Sequence, residues 1–504
     1  MTSPVPWSFG IANSGETARG SPAAASACGP AIWLIAGALV CGFAVALTLL
    51  SRQFGYDTDV ADMPVLTMTG LLVAAGLLFA TLLPRFITRA EAVDETNSIR
   101  ILSIIIAAGL VARLVLFASQ PMLEDDYQRY LWDGAVTASG INPYVASPRS
   151  VLEAGATSQL EALAEQSGPI VRRINHPQLT TIYPPVAQAA FAIAHQLSPW
   201  NLTAWRGVLL ACDGLLLVLL LALLRDTNRS PLWAALYWWN PLVLKEGFNS
   251  AHMEPLVLAL VMLTLWLAAK RKPVFATAAL GLAAGAKLWP VLLLPLVLRP
   301  ILKDTRRLAA TVAVFAALMV LWALPIVSAG LNEHSGFLAY ADSWKTNSAL
   351  FPILEGAFAA LMQAVSGADA HATITVKMML AFVLSALSVA LAVRPINDTR
   401  DVLTRASIVI AALVLLSPAQ YPWYALWLAP LLAFWPNRAF LLLTATIPLY
   451  YVSFYFAAQE TLEAAQPVLL AVIWVPVWLL AAHDGLQRPR LALGIAKSAA
   501  GTPA

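Results

Sequence analysis

Trp205-Arg206-Gly207-Val208-Leu209-Leu210-Ala211-Cys212-Asp213-Gly214-Leu215-Leu216-Leu217-Val218-Leu219-Leu220-Leu221-Ala222-Leu223-Leu224 is an apolar run with one arginine at its start and one internal acid. As a helix it is long enough to cross a hydrocarbon core about 30 Å thick. Runs of similar length recur from Trp33 to Leu480. The 504 residues are 59% hydrophobic and 12% charged, with mean hydropathy +0.72. A soluble domain carries about 25% charged residues. The chain therefore reads as an all-α polytopic membrane protein of about 12–14 crossings. Fourteen segments qualify: 31–50, 65–84, 99–118, 205–224, 232–246, 255–269, 273–286, 288–299, 307–328, 372–393, 405–418, 422–436, 439–457 and 466–483.

Residues 1–30 are polar and rich in small side chains, without the basic flank, apolar core and cleavage site of a secretory signal. They are expected to form a disordered cytoplasmic tail, and 485–504 a cytoplasmic tail at the other end. Cys28, Cys41 and Cys212 lack metal-ligand spacing and are expected to be unpaired thiols. A net charge of +3 carries no sign of a nucleic-acid partner.

With the amino end inside, Arg85, Arg89, Arg225, Arg229, Lys270 to Lys272, Lys303, Arg306, Arg307, Arg394, Arg400, Arg488 and Arg490 all fall in the cytoplasm. That asymmetry is the one inner-membrane insertion produces. It requires that 183–195 not cross, so this segment is expected to be a juxtamembrane or re-entrant helix introduced by Pro184 and Pro185. Two long loops, 119–181 and 329–371, then lie outside. The second contains 349–365, where Glu355 and Gln363 interrupt an apolar stretch expected to lie as a surface helix.

The external ends of distant segments collect the unusual residues. Glu124, Asp125, Asp126 and Asp133 follow the third span, with Asn142, Arg172, Arg173, His176 and Tyr183 later in the same loop. Lys245, Glu246, Asn249, His252 and Glu254 follow the fifth, and Lys287 follows the seventh. Trp344, Asn347, Tyr421 and Trp423 complete the set. Singly, the lysines read as snorkelling side chains and the aromatics as interface anchors. Together on one face, ionisable residues at a membrane usually line a polar cavity. Arg113 and Asp213, inside spans three and four, each need a partner or water: they either pair, or Arg113 reaches an anionic headgroup.

Sugar transfer from a lipid phosphate would use such a face. It needs a carboxylate to take the acceptor hydroxyl's proton and cations to stabilise the departing phosphate. Asp126 and Asp125 suit the first role; Lys245, Lys287, His252, Arg172 and Arg173 suit the second. Trp132, Trp344, Tyr421 and Trp423 can stack on the sugar or line a lipid groove, while Glu124, Tyr127, Arg129, Asp133, Asn142, Tyr183, Glu254 and Asn347 complete a substrate-binding set. Asp125 and Asp126 would either share a divalent metal, Mg or Mn, or raise one another's pKa. Adjacent residues point to different faces, so the sequence does not force a metal.

Asp125-Asp126-Tyr127-Gln128-Arg129-Tyr130-Leu131-Trp132-Asp133-Gly134, Gly140-Ile141-Asn142-Pro143-Tyr144 and Tyr183-Pro184-Pro185 together resemble motifs of the GT-C superfamily of integral membrane glycosyltransferases, near glycosyltransferase family 87. The likeness runs from about Ile101 to Leu480, with 31–98 as an extra hairpin and cytoplasmic loop ahead of a 99–484 catalytic module. It implies an inverting enzyme of the bacterial inner membrane, multi-pass, with its active site facing the periplasm or exterior. Such an enzyme moves a monosaccharide, mannose by analogy, from a polyprenyl phosphate donor to a lipid-linked or glycan acceptor. The role of base carries over to Asp126, then Asp125; Glu254 stands where relatives have Asp. A transporter or flippase of a lipid-linked sugar is the alternative, and would need a polar vestibule on the cytoplasmic side too.

Overall fold

Proline opens or interrupts several of the apolar segments of this chain. The computed structural model describes residues 29–153, 158–331, 334–348, 350–366 and 372–487. The two expected tails, with Cys28, Arg488 and Arg490, lie almost wholly outside them. The described residues are helical, without a strand; a lone parallel bridge joins Thr346 to Ala419. Among the described residues, eight helices are long and apolar enough to cross a membrane: Pro30–Ser51, Val65–Ala90, Glu95–Leu116, Leu202–Asp226, Thr305–Ala329, Ala372–Val393, Arg438–Ala458 and Leu462–Asp484. A ninth crossing is available if Pro241–Asn249 and Glu254–Ala269, bent by 118° at their junction, count as one broken span. The chain is an all-α polytopic membrane protein.

Several of the fourteen apolar segments are broken instead of spanning singly. Segment 232–246 becomes a 3-10 turn at Pro231–Ala234, short helices at Ala235–Trp238 and Pro241–Leu244, and a π-turn at Lys245–Asn249. Segment 422–436 becomes a 3-10 helix, Pro422–Ala433, with Pro422 and Pro430 inside its apolar run. Each proline removes a backbone donor and clashes with a regular helix, so the pieces survive only where protein surrounds them. That condition is met: every residue of 422–433 is buried. The segment at 183–195 forms a helix, Pro185–Leu197, of 13 residues. At 1.5 Å per residue it is about 20 Å long, too short to span.

The helix Asp126–Ala138 packs on Pro185–Leu197 at close range. A Cβ on Gly134 would stand 2.5 Å from the carbonyl oxygen of Phe191, so only glycine fits there. Tyr130 stacks on Phe191 with ring centroids 4.6 Å apart, and the Gln188 amide donates to Asp133 at 3.2 Å. The acidic motif and the Tyr-Pro-Pro motif are thereby joined through their helices.

The first two spanning helices are not a free-standing hairpin. Pro30–Ser51 packs mainly on Glu95–Leu116, and Val65–Ala90 packs on Arg438–Thr446, where Gly76 meets Ala445. Arg113 and Asp213 resolve in favour of pairing: Nε of the arginine lies 2.5 Å from the carboxylate, and neither side chain is exposed. Tyr237 also donates to Asp213, and Trp238 covers the guanidinium 3.5 Å from its ring centroid.

Candidate active site

A cavity of about 970 Å³ opens at one end of the bundle. Its wall uses residues just after Pro30–Ser51 and just before Val65–Ala90, just after Glu95–Leu116, at the start of Leu202–Asp226, after Pro273–Ala286 and at the end of Thr399–Leu416. Antiparallel helices present such alternating ends on a single face. The basic residues Arg89, Arg225, Lys270 and Arg400 stand at the other ends of their elements.

Glu124, Asp125 and Asp126 lie in this wall. The backbone enters them through Leu123, whose φ of 59° is rarely adopted by a branched residue. Asn175 Nδ2 faces Asp125 Oδ1 at 2.7 Å and Asp126 Oδ1 at 3.0 Å, tying the two acids together. The Tyr183 hydroxyl donates to Asp126 Oδ2 at 3.1 Å, and that of Tyr130 approaches the same oxygen at 3.4 Å. Burial, followed by the charge of Asp126, pushes the Tyr183 phenol well above its ordinary value, which keeps it a donor. Burial, then the neighbouring Asp126 and Glu124 charges, raise the Asp125 carboxyl to about 7. Asp125 is thus protonated over much of the range in which an ordinary aspartate is ionised.

Tyr127, Arg129, Arg173, Tyr183, Lys287, Trp344, Tyr421 and Trp423 also line the cavity. Arg129 donates to the carbonyls of Leu179, Asn175 and His176, bracing the loop that carries Asn175. Arg173 pairs with Asp57 at 3.0 Å beneath the Tyr56 ring, so the loop between the first two spans forms part of the wall. Lys287 contacts Glu254 at 2.5 Å and lies over the rings of Tyr424 and Trp427, 4.8 and 5.2 Å from their centroids. Tyr421 and Trp423 stack at 4.5 Å. These aromatic faces suit a sugar ring or an unsaturated chain, and the cations at their edges suit a phosphate.

Other expected site residues stand back from the cavity. Lys245 is fully buried, with its ammonium donating to Met122 O, Ser250 Oγ and Tyr451 Oη. His252 is fully buried one layer behind Asp126, its ring stacked 3.9 Å from that of Trp423. Glu254 reaches the cavity only through Lys287. Asp133 accepts from Gln188, and Asn142 donates to Pro325 O, 2.7 Å away. Trp132 packs in a separate cluster against Trp200. Asn347 bonds Gln420 O and accepts from Trp474, fastening the loop at Thr346 to the segment before Tyr421. Arg172 is exposed and absent from the cavity wall.

Three metal-capable side chains come together behind Asp126. Among the described residues they are Glu124, Glu246 and His252. Asn175 and Tyr451, which hold the acids, were not legible as site residues. Asn175 follows the noted Arg172-Arg173 pair by two positions, whereas Tyr451 sits in an apolar span and reads as an anchor.

The model of Glycosyltransferase family 87 matches residues 181–418, a little under half of the chain. The matched stretch contains Tyr183, Lys245, His252, Glu254 and Lys287, and begins after the acidic run. No curated protein and no solved structure matches the chain. The family match indicates a glycosyltransferase, and the eight apolar helices place it in a membrane.

Proposed function

We propose, taking the chain as a membrane glycosyltransferase with a family 87 core at residues 181–418, that it moves a monosaccharide, mannose first, from a polyprenyl phosphate to a lipid-linked or cell-envelope hydroxyl. The observation that carries this reading is the setting of Asp126. Its carboxylate lies in the wall of a roughly 970 Å³ cavity and is oriented by Asn175 and Tyr183. The wall also holds cations and stacked aromatics, the partners that a lipid phosphate sugar requires.

In the reaction, the acceptor oxygen attacks the anomeric carbon as Asp126 takes its proton. The bond from that carbon to the phosphate oxygen breaks, and the electron pair leaves with the polyprenyl phosphate. One displacement inverts the anomeric centre. Lys287 and Arg173 are the cavity cations that would face the phosphate, whose negative charge grows as the bond breaks. Trp344, Tyr421 and Trp423 would pack against sugar or prenyl carbons. Asp125, with its carboxyl raised to about 7, is the second candidate for the base and, while it holds its proton, a hydrogen-bond donor.

The external side of a bacterial inner membrane is the side we assign to the cavity. The support is the charge asymmetry: Arg89, Arg225, Lys270 and Arg400 cluster at the opposite helix ends, as cytoplasmic residues do.

Reconstitution in liposomes with a panel of polyprenyl phosphate sugars tests the reading, with donor loss followed by mass spectrometry. Asp126→Asn is expected to lose about 10²–10⁴-fold in turnover while still binding donor, because a general base acts in the transition state. Near-normal transfer by that variant would remove Asp126 from the role. Movement of donor across the bilayer without covalent change would favour a flippase.

A further inference from the structure

Behind Asp126 the polar side chains do not balance. Glu124, 9% exposed at its side chain, and Glu246, fully buried, converge on the hydroxyl of Tyr451, at 2.7 Å and 2.9 Å. That hydroxyl has one proton and satisfies one carboxylate at a time. Lys245 stands 3.6 Å from Glu246, but its three protons are directed to Met122 O, Ser250 Oγ and Tyr451 Oη. Two carboxylates therefore have one fixed cation between them at the buried back of the cavity wall, with only the His252 ring within ion-pair distance of both, an arrangement that is costly unless positive charge is supplied.

His252 supplies the second, independent observation. Its ring is fully buried, and neither nitrogen makes a hydrogen bond. Nε2 lies 3.5 Å from Glu124 Oε2 and 3.6 Å from Glu246 Oε2. Those separations exceed a hydrogen bond, which ends near 3.2 Å. They match the edges of a tetrahedron around a cation with ligand bonds of about 2.0–2.2 Å, which are roughly 3.3–3.6 Å long. The ligand atoms of the three residues all lie within 4.8 Å of one another.

We infer that Glu124, Glu246 and His252 bind a divalent cation of the zinc class, through one imidazole nitrogen and two carboxylates. One nitrogen with two oxygens suits zinc or manganese better than magnesium, which prefers oxygen alone and keeps its water. Three protein ligands leave a fourth position open. Tyr451 and Ser250 steady the carboxylates by hydrogen bonds, and the stacked Trp423 fixes the plane of the imidazole. With the cation on Nε2, the remaining ring proton resides on Nδ1, which faces Asp126 Oδ2 at 3.7 Å. Histidine ligands commonly direct their second nitrogen at a carboxylate in this way. The cation thus lies one imidazole away from the proposed base and acts on it through His252. The site depends on these ligands alone and stands whatever sugar the enzyme moves.

Metal content tests it without reference to turnover. The full-length protein in detergent is stripped with chelator, incubated with Zn²⁺, desalted and analysed by mass spectrometry for metal. About one zinc per chain is expected, falling below about a tenth in His252→Ala and in Glu246→Gln, since a three-ligand site rarely survives losing one ligand. Asp125→Asn, outside the ligand set, is expected to keep the metal. X-ray absorption on the wild-type protein is expected to show one imidazole and oxygen ligands without sulfur; this second measurement serves even if a variant misfolds. A wild-type protein that retains no zinc or manganese, variants that retain it fully, or a sulfur-bound metal would each overturn the inference.

Discussion

The hydroxyl of Tyr183 donates to Oδ2 of Asp126 across 3.1 Å, although 57 residues separate the two in sequence. Tyr183 is held by the pair of prolines that follows it: Pro184 stays extended and Pro185 begins the next helix. Asp126 opens the neighbouring helix, and Gly134 permits the two helices to touch. The bond thus depends on rigid elements, and it selects one orientation of the carboxylate. Tyr183→Phe keeps the ring and its packing on Phe191 and removes only the donor. Because a hydrogen bond to a charged group is worth about 1.5–3 kcal/mol, transfer is expected to fall roughly 10–100-fold. Steady-state kinetics should assign the loss to kcat, with the donor KM nearly unchanged.

Asp125 brings a pH dependence of definite sign. Its carboxyl is raised from 3.8 to about 7, so the folded protein holds the proton more tightly than the unfolded chain. Its contribution to stability is complete below pH 3.8 and is lost as the pH rises through about 7. Asp125→Asn resembles the protonated form. The variant should match wild type at pH 4 and become progressively more stable than it towards pH 7.5. Thermal unfolding in detergent with EDTA, so that no cation at Glu124 contributes, checks this.

How much of this site could be read in advance differs by residue. Asp125, Asp126 and Tyr183 stood out because acids and a Tyr-Pro-Pro turn have no packing reason to interrupt apolar sequence. The same reasoning located Lys287 and Trp423 in the cavity wall. It could not tell which cations face the cavity: Lys245 and Lys287 look alike in sequence, yet one is sealed beneath Tyr451 and the other borders the open space. Depth is set by tertiary packing, here by a π-turn over Lys245–Asn249 and a bend that follows it. Tyr451 was hidden for a related reason, since its bond to Glu124 spans 327 residues. The span count suffered from hydropathy being blind to backbone: Pro422–Ala433 is apolar throughout but coils as a 3-10 helix.

The Lys287–Glu254 pair separates a binding role from a structural one. Glu254 is 1% exposed at its side chain and Lys287 22%, so the lysine is the member that can turn to a ligand. Lys287→Met leaves the buried carboxylate unpaired, and a loss of about 3–5 kcal/mol is expected. Adding Glu254→Gln removes that charge and should restore most of the stability. Transfer should stay low in the double variant if Lys287 meets the donor phosphate. Recovery of activity along with stability would limit Lys287 to neutralising Glu254. Thermal melts and donor titrations on the same two preparations distinguish the outcomes.

Arg113 and Asp213 make a contrasting pair, neither of them in the cavity wall. Both are fully buried, and the arginine also donates to the carbonyls of Gly109 and Trp238, tying three elements at one point. In hydrocarbon surroundings neither charge can find water once its partner is gone. Asp213→Ala is therefore expected to destabilise by about 3–5 kcal/mol, through the stranded guanidinium rather than through lost packing. Asp213→Asn retains an acceptor for Arg113 and for the Tyr237 hydroxyl, and should cost less. If the pair is purely structural, whatever Asp213→Asn protein remains folded should transfer sugar with an unchanged KM and kcat. The check is the activity per folded molecule, measured on the monodisperse fraction from size-exclusion chromatography.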